Sequence, residues 1–151
     1  MVNSVSHTET FRIDQPAEIL FPLFSAEGEK LWVPGWDYEN ISWSDVIHED
    51  FIFLTRGHGH SSQETIWLVK SYDPNRYYVQ FYRVEPGDKV GLVTVRCDPV
   101  DKDITDVEVT YEYTALSESG RRFLEHFSAD HYKEFINGWK THLLHYFQSE
   151  Q

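Results

Sequence analysis

Residues 128–147 read SADHYKEFINGWKTHLLHYF, and this stretch sets the architecture of the chain. At ~100° per residue, Tyr132, Phe135, Ile136, Trp139, Leu143, Tyr146 and Phe147 fall within one sector roughly 120° wide. Ser128 offers an N-cap hydroxyl, and Asp130 places a negative charge in the first turn, where the helix dipole favours it. The stretch is therefore a terminal amphipathic helix with a strongly aromatic face. Such a face needs a large apolar partner, and the preceding chain reads as strands able to supply one. A curved sheet wrapped around the helix follows, with the gap between them as the place to look for function.

The 151 residues fit one domain, 1–151, and are long enough to bury a core. Aromatics make up 16% of the chain, so a few large side chains carry much of the buried area. The net charge is −12, from 13 basic and 25 acidic residues, which argues against nucleic acid or an anionic membrane surface as partner. The acidity is spread along the chain, as on a solubilising surface. A lone cysteine, Cys97, excludes an intrachain disulfide framework and fits a reducing compartment. No signal-peptide pattern opens the sequence and no run of ~18 apolar residues occurs, so a cytoplasmic protein without membrane insertion is expected.

Working back from the helix, residues 5–14 favour a strand with Phe11 and Ile13 on one face. Pro16 opens a short apolar helix, AEILFPLF, which Pro22 should kink or end, and AEGEKLWV forms a second short piece closed by Pro34-Gly35. Six strand candidates follow, at 39–48, 51–56, 63–72, 76–85, 89–98 and 104–114, divided by short turn sequences that pair neighbours antiparallel. Alternation is clearest where Val107, Val109, Tyr111 and Tyr113 oppose Glu108, Thr110, Glu112 and Thr114, and where Val93, Val95 and Cys97 oppose Leu92, Thr94 and Arg96. Strands 63–72 and 76–85 carry large residues on both faces. With Thr65, Trp67 and Val69 inward, and likewise Val79, Phe81 and Arg83, a guanidinium faces the interior.

The order strand, two short helices, six strands and a long helix resembles the α+β helix-grip fold of the START/Bet v 1-like (SRPBCC) superfamily, its polyketide cyclase/dehydrase-like branch included. The residues carrying the resemblance are FRIDQPAEILFPLF at 11–24, KLWVPGWDYE at 30–39, ETIWLVKSYDP at 64–74, VTYEYTALSESG at 109–120 and the aromatic final helix. The resemblance implies a curved antiparallel sheet gripping the last helix around an internal cavity. It also implies a small hydrophobic or amphipathic molecule as partner, as for a carrier or sensor. The same superfamily contains cofactor-free cyclases and dehydratases and chaperone activators, so fold does not decide among these roles. An open sheet edge or the short helices are compatible with a homodimer.

The expected cavity lining comprises the inward strand positions Trp67, Phe81, Arg83, Val93, Val95, Tyr111 and Tyr113, the helix positions Tyr132, Phe135, Trp139 and His142, and Trp36. His142 reads as an interior acid, base or hydrogen-bond donor, or else as a core histidine satisfied by a hydroxyl or carbonyl. An inward Arg83 requires an anion, either a ligand oxygen or a structural acid such as Asp37 or Glu39. The three tyrosines are a polar lining or large core residues. Trp32, Trp36 and Trp67 form an aromatic rim or pack as core. His58 and His60, with Glu64, are too few and too loosely placed to make a zinc site compelling, and no nucleotide fingerprint or nucleophile elbow occurs. No metal and no cofactor is expected.

Overall fold

The computed structural model describes residues 3–44, 46–56 and 64–149. The chain runs β1 (Ser4–Ile13), α1 (Ala17–Leu20), two 3-10 turns (Phe21–Leu23 and Gly28–Leu31), β2 (Glu39–Asn40), β3 (Ile52–Arg56), β4 (Glu64–Asp73), β5 (Tyr78–Glu85), β6 (Lys89–Asp101), β7 (Ile104–Ala115), α2 (Glu118–His126) and α3 (Ala129–Ser149). One seven-stranded sheet has the order β1-β7-β6-β5-β4-β3-β2, every pair antiparallel. Its inward face packs on α3 and the short helical turns.

Alternation does most of this work. Val107, Val109, Tyr111 and Tyr113 are buried on β7, and Val93, Val95 and Cys97 on β6. On the ambiguous pair the interior takes Thr65, Trp67 and Val69 from β4 and Val79, Phe81 and Arg83 from β5. Phe11 and Ile13 are buried on β1. Pro22 acts as expected: α1 ends at Leu20 and the chain passes into a 3-10 turn. Ser128 caps α3, its Oγ accepting a hydrogen bond from the His131 amide at 3.1 Å.

Two segments differ from the sequence reading. Of the described residues in the expected strand at 39–48, only the first two are in the sheet. Asn40 explains this, since its Oδ1 accepts from the Trp43 amide at 3.0 Å and its Nδ2 donates to the Ser44 carbonyl at 2.8 Å. A side chain that satisfies its neighbours' backbone competes with the ladder, and Trp43 takes a positive φ of 57° as the chain turns away. The second difference is α2, a helix between the last strand and α3. Ser117 caps it by accepting from the Gly120 amide at 3.3 Å, and Leu124 and Phe127 anchor it to the core. His58 and His60 lie outside the described residues; Glu64 pairs with Arg56 at 3.2 Å.

Candidate functional site

Between the sheet and α3 lies a cavity of about 420 Å³. Its walls are aromatic: Trp32 and Trp36 from the segment after the second 3-10 turn, Trp67 from β4, and Phe135 and Trp139 from α3. Three of the four indoles are tied down by their own N–H groups. Trp32 donates to the Leu23 carbonyl, Trp36 to the Ala26 carbonyl and Trp67 to the Thr55 hydroxyl, at 2.8, 2.8 and 2.9 Å. Fixed in this way, the rings present apolar faces with no polar group left to satisfy. Trp67 is further stacked on Phe53, with ring centroids 5.5 Å apart. A second, smaller space of about 20 Å³ lies deeper, bounded by Phe81, Val93 and Val95 together with Trp67, Tyr111 and Trp139.

Five ionisable side chains interrupt the apolar lining: Glu134 and His142, exposed at the mouth, and Arg83, Tyr111 and Glu29 further in. Arg83 is 2% exposed, and its guanidinium lies over Trp67 at 5.0 Å from the ring centroid. Burial works against its charge, but Tyr113, Tyr111 and Glu85 outweigh that, and the hold on its proton is raised. Tyr111, hydrogen-bonded to Arg83, has its phenol pushed up to about 12 by burial. Glu29 comes from the second 3-10 turn and lines both spaces. It is half-buried, and its carboxyl stands in the cavity lining rather than on the outer surface. Burial pushes that carboxyl up to about 8, against the pull of the Arg83 charge.

Arg83 rests on a small charge network that runs away from the cavity. Nη2 of Arg83 is 3.9 Å from Oε2 of Glu85, and that same oxygen is 3.1 Å from Nζ of the buried Lys89, which also meets Asp88 at 2.9 Å. Room for Arg83 comes from Gly91, which stands between Arg83 and Tyr113 in register across β5, β6 and β7. A Cβ there would approach Arg83 Cγ and Tyr113 Cε1 to 2.7 Å each.

The structure distributes the expected lining unevenly. Trp36, Trp67, Arg83, Tyr111, Phe135, Trp139 and His142 line the main cavity, and Phe81, Val93 and Val95 the inner space. Tyr113 and Tyr132 border neither. Tyr113 packs beneath Arg83 against Phe123 and Phe127, and Tyr132 donates its hydroxyl to the Val109 carbonyl at 2.6 Å. His142 is not interior: it is exposed at the cavity mouth. The reason is helical phase. Tyr132, Ile136 and Leu143 form the fully buried row of α3, while Phe135, Trp139 and His142 form the next row, which rises progressively toward solvent. Arg83 meets neither Asp37 nor Glu39; Glu39 faces Arg56 at 3.8 Å. Glu29 is the site residue that the sequence reading lacks. Its only signal is the i, i+3 spacing to Trp32 in a 3-10 turn.

No family model and no curated protein matches this sequence. Solved structures do match in shape. Norcoclaurine synthase from Thalictrum flavum, in complex with dopamine and hydroxybenzaldehyde, superposes with a TM-score of 0.67 at 13% identity, over 94% of this chain and 87% of that one. Ara h 8.0201 gives 0.67 at 8% identity, over 96% and 99%. This is the Bet v 1-like helix-grip fold. An aromatase/cyclase from Streptomyces shares it, with a TM-score of 0.57 at 13% identity over 74% of this chain and 68% of its own. The fold of the chain is thus established, and its chemistry follows from the residues above. None of its described helices is long and apolar enough to cross a membrane.

Proposed function

We propose that this chain binds a compact, amphipathic ring compound in the cavity beneath α3, as a carrier or sensor. The observation that carries the reading is the cavity of about 420 Å³, walled by four tryptophans, with Arg83, Tyr111 and Glu29 as its inner polar groups and Glu134 and His142 at its mouth. Ligand sites typically span ~300–1,000 Å³ and combine apolar walls with a few placed polar groups. A volume near the lower end favours a compact ring system over a long acyl chain. That a norcoclaurine synthase of this fold holds dopamine and hydroxybenzaldehyde supports the same size class.

A second reading, cofactor-free acid–base catalysis of the cyclase or dehydratase type, draws its support from Glu29. A carboxyl that titrates near 8 beside a cation and a phenol is suited to take and return a proton in a water-poor site. His142, exposed at the mouth, has a weaker case.

Native mass spectrometry of the purified protein, followed by denaturing extraction, tests the binding reading. A reproducible small organic adduct is expected, and it should disappear in Gly138→Phe. Gly138 belongs to the lining, and a Cβ added there meets no neighbouring atom within 4 Å, so a larger side chain starts from open space at the mouth. An adduct unchanged by Gly138→Phe would place the ligand elsewhere. Incubating the extracted compound with fresh protein then separates the roles: an unchanged mass and structure means carriage, and a converted product means catalysis.

A further inference from the structure

We propose that the ligand is an aromatic acid, with its carboxylate drawn to Arg83 and its ring held between the tryptophan walls. The inference rests on the cavity reading above and names the ligand class. Its first ground is the sign of the charge. The chain carries −12 overall, yet the one permanently charged side chain in the cavity lining that is shut away from bulk water is a cation. Glu29 and Tyr111 keep their protons at neutral pH, so neither cancels it.

The second ground is that Arg83 is incompletely matched. Its Nε and Nη2 atoms are enclosed and make no hydrogen bond. Glu85 at 3.9 Å is too distant for one and sits closer to Lys89. The same two atoms of Arg12 show what an arginine in this protein does with a carboxylate: Nε and Nη2 grip Asp106 side-on at 2.8 and 3.2 Å. A buried cation without such a partner is costly. Both atoms are closed off from the cavity as it stands, so a ligand carboxylate is drawn by the charge to the cavity side of the guanidinium and pairs with Nε and Nη2 once the side chain turns toward it. An amine ligand would meet the opposite situation, repelled by Arg83 and offered only a protonated Glu29.

A carboxylate in this space also couples binding to Glu29. Ligand and ionised Glu29 repel each other, so the acid binds the protonated form, and affinity falls as Glu29 loses its proton above about pH 8. Other groups face the same region: Tyr111 and Tyr113 from β7, Glu85, Asp88 and Lys89 behind Arg83, and Glu134 and His142 at the mouth. Glu29→Gln leaves all of them in place, so a pH effect that vanishes in this variant belongs to Glu29.

Isothermal titration with naphthoate and its neutral isostere naphthamide tests the proposal. At about pH 6.5 the wild type should prefer naphthoate at least ~10-fold, the factor that corresponds to ~1.4 kcal/mol. At about pH 9.5 naphthoate should bind about 30-fold more weakly, from a carboxyl titrating near 8, and Glu29→Gln should hold that change below about threefold. Arg83→Gln should abolish the preference at both pH values. Equal affinity of the wild type for the two compounds would overturn the proposal while leaving the cavity reading intact. A pH profile unaltered in Glu29→Gln would overturn the coupling. If neither compound binds, the cavity reading falls and this inference with it. The wild-type pair and the Glu29 profile decide the matter even if Arg83→Gln does not fold.

Discussion

Gly91→Ala is the sharpest test of how the site is packed. The added methyl would lie 2.7 Å from Arg83 Cγ, 2.7 Å from Tyr113 Cε1 and 3.0 Å from Tyr113 Cδ1. Carbon atoms prefer ~3.5–4.0 Å, so about an ångström of displacement has to be shared between the two side chains. Tyr113 has no free space around it, and Arg83, although it borders the cavity, would lose its place over Trp67 by moving. Tyr113 is fully buried, with Phe123 and Phe127 against it at 5.2 and 5.1 Å between ring centroids, and Arg83 is pinned over Trp67. Overpacking of this kind costs ~1–3 kcal/mol. Replacing glycine in a strand returns about 0.5–1 kcal/mol through the unfolded chain. The difference is a net loss of about 0–2.5 kcal/mol, and two contacts as short as 2.7 Å place it in the upper half, about 1–2.5 kcal/mol, which for a chain of this length is a fall in Tm of roughly 2–10 °C. Urea unfolding and thermal circular dichroism measure it directly. Stability within ~0.5 kcal/mol of the wild type would show that the Arg83–Gly91–Tyr113 row is loose, and that Arg83 is not held where the site needs it.

Two further outcomes follow from the same geometry. The Glu29 carboxyl keeps its proton to about pH 8 in the folded chain but releases it near its ordinary value of 4.5 when unfolded. Between those limits the folded state binds the extra proton, so stability falls as pH rises through the window. Glu29→Gln should remove that fall, being close to wild type at acid pH and more stable than wild type by up to a few kcal/mol near pH 8; identical pH profiles of unfolding free energy would refute it. Tyr132→Phe removes the hydrogen bond to the Val109 carbonyl and should cost about 0.5–1.5 kcal/mol by urea denaturation. No loss there would mean that the hydroxyl is not an anchor of α3.

The strands were legible because burial on one face writes a period of two into the sequence, most plainly at Val107, Val109, Tyr111 and Tyr113. That same period carried Arg83 inward although its chemistry argues for the surface. The terminal helix was legible from its aromatic sector, but a sector does not resolve rows within it. Tyr132 and Leu143 face the sheet while His142, one position from Leu143, reaches solvent. Glu29 was not legible: it stands among Glu27 and Lys30 in a short stretch whose helical type sets which residue turns in, and Glu27 remains exposed, bonded to Tyr38. The failed strand at 39–48 turned on one side chain, Asn40, whose two hydrogen bonds have no signature beyond the residue type. The helix after Ser117 did leave a signal, a capping serine followed by Phe123, Leu124 and Phe127 at spacings that suit a helix face.

The placement of the indoles has a spectroscopic consequence. Of the five tryptophans, Trp32, Trp36, Trp67 and Trp139 all border the cavity, and the fifth, Trp43, is 92% exposed. Emission therefore separates into a blue component from the cavity walls and a red one from Trp43, which aqueous acrylamide should quench first. Replacing Trp43 by phenylalanine, at a position that is 92% exposed, would leave a protein whose remaining tryptophan emission arises entirely from the walls of its cavity. Filling and emptying could then be followed in real time without a label, including in a crude extract fractionated for the natural ligand.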